Sequence, residues 1–173
     1  MASTTPTSSG LVRFTQATAI FLSAAGSGAG LAISSFVIPR LLECPTPLML
    51  QGWKKTFLRG RATMPLSGAI AAASYFFLAY SGRGGRAYAY AGALSVGIIP
   101  YTLVLMKSTN NALLDAAEQM EADALLAGGD DKVVVTLEQE RSAKYLVDHW
   151  GMLNLGRVAM LATASAVALA VSL

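Results

Sequence analysis

One cysteine and one histidine are all the thiol and imidazole that this 173-residue chain contains. A lone Cys44 excludes an internal disulfide, and a lone His149 leaves zinc and paired-histidine haem sites without a ligand set. Only Asp148, His149 and asparagine amides remain for a metal, a poor combination. Charge is scarce too: 13% of residues are Asp, Glu, Lys or Arg, against about 25% in a typical soluble domain. The net charge is +3, yet no basic face with interleaved aromatics occurs, so nucleic acid is not the partner. Lipid headgroups suit that charge better. No glycine-rich nucleotide loop is present either.

The charges are missing in blocks. None occurs from Phe14 to Pro39, from Ala62 to Gly82, from Ala87 to Met106, or from Val158 to Leu173. A helix needs roughly 20 apolar residues to cross the hydrocarbon core. The first three runs qualify outright, and the fourth does if it starts near His149 and tolerates Arg157. These runs predict an all-α, integral membrane four-helix bundle. Its spans lie near residues 14–38, 63–81, 87–106 and 150–172 of a single domain, 13–173. Residues 1–12 read as a disordered leader. The first run is too long for a secretion signal and "MASTTPTSSG" lacks a basic start, so it is a retained span.

Within the first span Gly26 and Gly30 form a GxxxG pair, which favours close helix packing. Pro39 marks its exit. Residues 40–61 read as a first loop holding Trp53 and five of the basic residues. The turn "SGRGGR" links spans two and three. Pro100 removes a helical hydrogen bond and predicts a mild kink in span three. Beyond Met106 the helix continues through "NNALLDAAEQMEADALLA", with Leu113, Leu114, Ala117, Met120 and Ala124 as an apolar stripe, and stops at Gly128-Gly129. The segment "GGDDKVVV" reads as a turn. Thr136 and Gln139 make a T-x-x-Q capping box that opens the last helix, which runs on into span four. Helices three and four thus extend beyond the bilayer as an antiparallel hairpin. Loops one and three carry nine Lys or Arg and the opposite side three. The positive-inside rule then puts loops one and three in the cytoplasm. Tyr75, Tyr80, Tyr88 and Tyr90 read as interfacial aromatics.

Helical spacing gathers the polar residues at one end. Thr102, Met106, Asn110 and Leu113 share one face of helix three, with Tyr101 beside them. Trp150, Asn154 and Arg157 fall at i, i+4 and i+7 on helix four. With Trp53 on the same side, two amides, a guanidinium and two indoles can converge. An arginine inside the hydrocarbon costs several kcal/mol unless it faces a cavity or a partner. Its bland alternative is snorkelling to the headgroups, with the asparagines gluing helices. His149 sits about 100° around the helix from Trp150, and imidazole is the side-chain type that exchanges protons near neutral pH.

Four segments at these positions resemble the anthrone oxygenase family, small membrane proteins of polyketide biosynthesis. They are "SSFVIPRLL" at the end of the first helix, W-x3-[YF]-x2-G as Trp53, Phe57 and Gly60, P-x-T-x7-N-x2-L as Pro100, Thr102, Asn110 and Leu113, and W-x3-N-x2-R as Trp150, Asn154 and Arg157. Phe57 stands where Tyr is also common, so it brings no hydroxyl. The resemblance implies oxidation of a polyketide anthrone to an anthraquinone, with O2 as co-substrate and no other cofactor. Under that reading Arg157, with Asn154 or Asn110, holds the ketone oxygen, and His149 or an amide-held water takes the proton. Trp53, Trp150, Thr102, Tyr101 and Met106 line the substrate. The implied partners are a lipophilic aromatic polyketide and the bilayer, in the endoplasmic reticulum or another internal membrane, with a homo-oligomer left open. A different class of function is a non-catalytic membrane adaptor or small-molecule carrier that recruits a partner through the acidic segment Asp115–Asp131. A further option is another cofactor-free or quinone-linked membrane oxidoreductase.

Overall fold

The computed structural model describes residues 6–81, 84–128 and 133–173. The first five residues of the expected leader, Gly82 and Arg83 of the second connection and residues 129–132 of the "GGDDKVVV" turn lie outside the described residues. Among the described residues six α-helical segments are present: α1 (Pro6–Ala32), α2 (Ile38–Leu42), α3 (Thr46–Tyr80), α4 (Gly85–Tyr101), α5 (Lys107–Ala127) and α6 (Leu137–Ser172). A π-helical turn at Ile33–Val37 joins α1 to α2, and another at Thr102–Met106 joins α4 to α5. The six segments therefore make four long helices. Each is long and apolar enough to cross a membrane: Gly10–Leu42, Thr46–Tyr80, Gly85–Ala127 and Leu137–Ser172. The protein is all-α, and its four candidate spans contain the four charge-free runs.

Two expectations change. Helix α1 starts at Pro6, not after residue 12. A proline in the first turn has no N–H to leave unbonded, and its fixed φ already suits a helix. Residues 40–61 are not a loop. Helix α3 begins at Thr46 with Pro47 next, a start signal of the same kind, and Trp53 stands on it. Only residues 43–45 separate α2 from α3.

Each wide turn has a proline near it. Ile38 N–H bonds Ile33 O, five residues back. Pro39 follows the first, and its ring, which lacks the N–H, crowds the Ser35 carbonyl inside that turn, whereas Pro100 precedes the second. One extra residue in the first turn absorbs that mismatch. Pro100, the expected kink position, lies inside α4 just before the second wide turn. The ends of α5 and α6 follow their local signals. Gly128 is left-handed (φ 79°) and bonds Ala124 O. Thr136 and Gln139 exchange the capping-box bonds, at 2.9 and 3.2 Å.

The chain divides into two compact units. The first comprises Met1–Ala29, Thr63–Ile99 and Arg157–Leu173, the second Gly30–Ala62 and Pro100–Gly156. The first unit has a core of small residues, Ala19, Ala71, Ala91, Ala164 and Ala168, around Tyr75, Leu78 and Tyr88. Its hydroxyls are paired: Ser23 Oγ with Tyr75 Oη at 2.7 Å, and Tyr88 Oη with Gln16 Nε2 and Ser172 Oγ at 2.9 Å each. Tyr75 and Tyr88 are thus core residues, not belt aromatics, because each hydroxyl has a partner inside. Tyr80 and Tyr90 are exposed. The second unit is built from bulkier side chains: Met49, Leu50, Trp53, Met106, Leu113, Val147 and Trp150. Lys54 of α3 pairs with Glu121 of α5 at 2.9 Å, a half-exposed bridge worth under about 1 kcal/mol.

Candidate active site

Helix α6 sets the frame of the site. Trp150 and Asn154 are one turn apart, so both face inward, and both are buried. Helix α5 presents Asn110, Leu113 and Ala117 by the same rule, while the adjacent Asn111 is exposed. The two faces meet through one hydrogen bond: Trp150 Nε1 donates to Asn110 Oδ1 at 2.8 Å. In a region without water such a bond is a strong constraint, since losing either partner leaves the other unsatisfied at about 1–3 kcal/mol.

Trp53 reaches this pair from α3. Its ring meets Trp150 edge-on, with centroids 5.8 Å apart, and stacks on Phe57 at 5.0 Å and 10°. Phe57 is one helical turn beyond Trp53, so sequence spacing alone brings the two rings together. Met106, the last residue of the wide turn, packs fully buried in the same core.

Asn154 holds α1–α2 to α6. Its Nδ2 donates to Gly30 O and to Ser34 Oγ, both at 2.9 Å, and Ser34 Oγ donates to Gly151 O at 2.9 Å. Tyr101 lies along the backbone of α6 and donates from Oη to Leu153 O at 2.8 Å. Gly156 makes room for it: a Cβ there would collide with the Tyr101 hydroxyl. Both wide turns therefore feed this assembly, Ser34 from one and Met106 from the other.

One polar atom in the assembly has no partner. Trp53 Nε1 is fully buried and donates to no acceptor, the one such side-chain atom among the described residues. A buried donor left unmet costs about 1–3 kcal/mol.

Of the residues singled out from the sequence, Trp53, Trp150, Asn110 and Met106 meet in one core. Asn154 and Tyr101 adjoin it through Ser34, Gly151 and Leu153, and Thr102 is partly buried in the wide turn. His149 stacks on the exposed Tyr145 at 5.8 Å and 5°. Arg157 belongs to the first unit, where Nη2 donates to Met64 Sδ at 3.6 Å. Ser34 and Gly156 were not foreseen. Ser34 lies inside the quoted "SSFVIP", five residues before a proline, the available signal for a wide turn. Gly156 directly precedes Arg157 and carries no signal of its own. A shallow surface dent on the second unit, with room for about one water molecule, is lined by Pro47, Gln51, Ala117, Met120 and Glu121. Among the described residues no three His, Cys, Asp or Glu side chains gather in a way that could hold a metal ion.

The profile of the anthrone oxygenase family matches residues 53–167. An anthrone oxygenase of Emericella nidulans is 34% identical over 102 residues, covering 56% of this chain and 53% of that protein. A monooxygenase of Dothistroma septosporum is 30% identical over 134 residues, 74% of this chain and 66% of the relative. A noranthrone monooxygenase of Aspergillus flavus is 30% identical over 135 residues, 74% and 59% respectively. The chain thus spans about half to two thirds of the length of these relatives. No solved structure matches it. The matched segment contains both tryptophans and both buried asparagines, and the chain belongs to the anthrone oxygenase family.

Proposed function

We propose that this protein is a membrane-bound oxygenase that converts a polyketide anthrone to an anthraquinone with O2 and no resident cofactor. The observation that carries this reading is the buried Trp53–Trp150–Asn110 cluster, lying inside the segment shared with proteins named anthrone oxygenases. Aromatic faces beside amides in an apolar core suit a flat, ketone-bearing substrate.

The chemistry needs little apparatus. An anthrone has a doubly benzylic CH2 opposite its ketone. Loss of one proton moves an electron pair onto the ketone oxygen and gives an electron-rich anthranolate. That anion passes one electron to O2, the two radicals combine at the benzylic carbon, and protonation gives a hydroperoxide. Loss of water, which takes the remaining C–H proton and breaks the O–O bond, leaves the quinone. One oxygen atom ends in the product and one in water.

The protein supplies a dry aromatic slot, a base and donors for the oxyanion; preorganised donors of this kind contribute about 3–4 kcal/mol each in known enzymes. In this reading His149 takes the proton, directly or through a water held by amides. Arg157 supplies positive charge, an assignment that rests on its spacing in the sequence, i+7 from Trp150 and i+3 from Asn154. Asn110 orients the Trp150 indole, Asn154 fixes the helix carrying Gly30 and Ser34 against α6, and Thr102, Tyr101 and Met106 line the slot. Helix α5 and the start of α6 extend from an internal membrane, such as the endoplasmic reticulum, as an antiparallel hairpin. The substrate is a lipophilic polyketide of fungal-type secondary metabolism, with no nucleic-acid partner and a homo-oligomer compatible.

The test is direct oxidation of emodin anthrone by the purified protein in detergent, followed by quinone absorbance against a blank without enzyme. Wild type should exceed the blank, and Arg157→Ala and His149→Ala should each lower the rate at least about tenfold. Wild-type rates in both variants would remove those two roles, and no rate above the blank would remove the function. A second reading, a membrane adaptor, is favoured by Leu125, Leu126, Val134 and Leu137, all largely exposed next to the acidic α5. Specific capture of a soluble partner without turnover is its signature.

A further inference from the structure

The chain has two tryptophans, and their N–H groups differ in a way that packing alone does not require. Trp150 commits its N–H to Asn110 Oδ1 at 2.8 Å. Trp53, 5.8 Å away by ring centroids, is completely buried and has no acceptor for its own. A phenylalanine or leucine would fill an apolar core position without stranding a donor. Buried polar atoms without partners are few in folded proteins, and each calls for a cause.

We propose that the Trp53 indole N–H is the donor reserved for the ketone oxygen of the substrate, and that it holds the negative charge which appears there when the benzylic proton leaves. This rests on the anthrone reading above and deepens it by naming the group that meets the oxyanion. Indole N–H donates and never accepts, so it discriminates for an oxygen acceptor. It is neutral, so keeping it buried before the substrate arrives costs far less than burying a cation. Its direction is fixed in advance: Phe57 stacks on one face at 5.0 Å, and Trp150 abuts it at 89°. The neighbouring amides already serve the fold. Asn110 Oδ1 accepts from Trp150, and Asn154 Nδ2 donates to Gly30 O and Ser34 Oγ. The bond also grows stronger as the reaction proceeds, because the acceptor passes from a neutral ketone to an enolate. Stabilisation that increases along the reaction raises kcat rather than lowering KM.

Two measurements test this. With 15N-labelled tryptophan the protein gives two indole signals, one per tryptophan. On adding emodin anthrone under nitrogen, the Trp53 indole proton should move downfield as it gains an acceptor, while the Trp150 signal stays. Replacing the nitrogen by sulfur, Trp53→benzothienylalanine, keeps ring size and stacking and removes the donor. Because the free protein leaves this N–H unmet, that variant should melt at or above the wild-type temperature, retain KM within about threefold, and lose about a hundredfold in kcat, as when a single oxyanion donor is deleted. A structural role alone would lower the melting temperature and leave kcat. Wild-type oxidation with an unmoved Trp53 signal, or a sulfur variant with wild-type kcat, overturns the donor and leaves the function standing. No oxidation above the blank by wild type removes the function and the donor with it.

Discussion

The two units solve helix packing in opposite ways. In the first, alanines bring helices close together, and the buried tyrosine hydroxyls find partners on other helices, as between Tyr75 and Ser23. In the second, tryptophans and methionines fill the core, two helices each take a wide turn, and one indole donor is left unmet. Regular, satisfied packing needs no further explanation than association in lipid. Irregular turns and an unpaired donor have an energetic cost, and structures keep such features mostly where they serve a function. The unmet donor and both wide turns thus fall in the second unit, and the proposed Trp53 role falls with them.

Substitutions can break that contrast. Gly156→Val should have the largest effect, since the new side chain displaces the Tyr101 ring from α6. Overpacking of this kind costs about 1–3 kcal/mol, here with the loss of the Tyr101–Leu153 bond added. Thermal unfolding in detergent should show it together with loss of quinone formation. Trp150→Phe strands Asn110 Oδ1 and should cost about 2 kcal/mol. A change well below that would mean Asn110 turns to another donor. Asn154→Ala releases Gly30 O and Ser34 Oγ. Interhelical bonds in membrane proteins average about 0.6 kcal/mol, so about 1 kcal/mol is expected, with turnover reduced because the first wide turn loosens. The smallest effect belongs to the first unit. Tyr75→Phe removes the Ser23 bond at about 0.6 kcal/mol and should leave turnover at the wild-type rate. Loss of activity there would erase the division between scaffold and site.

The spans were legible because hydrocarbon excludes charge, and charge-free runs are visible without any structure. The pairing of Trp150 with Asn110 was half legible. Helical periodicity put each on an inward face, and only packing could reveal which atoms meet. What stayed hidden has physical reasons. The basic segment of α3 looked like a loop because its charges argue for an aqueous setting, yet charge does not oppose helix formation, and Thr46-Pro47 starts one. A wide turn adds a residue that a fixed 3.6 period cannot anticipate, so Thr102, before the extra residue has been absorbed, is less buried than Met106, Asn110 and Leu113 after it. The Tyr75 and Tyr88 hydroxyls suggested an interface, and their partners, Ser23, Gln16 and Ser172, come from distant parts of the chain.

Both tryptophans of the chain lie within 5.8 Å of each other in a single dry core. Ultraviolet emission from this protein therefore comes from one place only and should be blue, as indole is in apolar surroundings. A coloured quinone formed beside those rings would absorb that light. Dimming of the intrinsic glow, with no label attached, would then report occupancy of this core in real time.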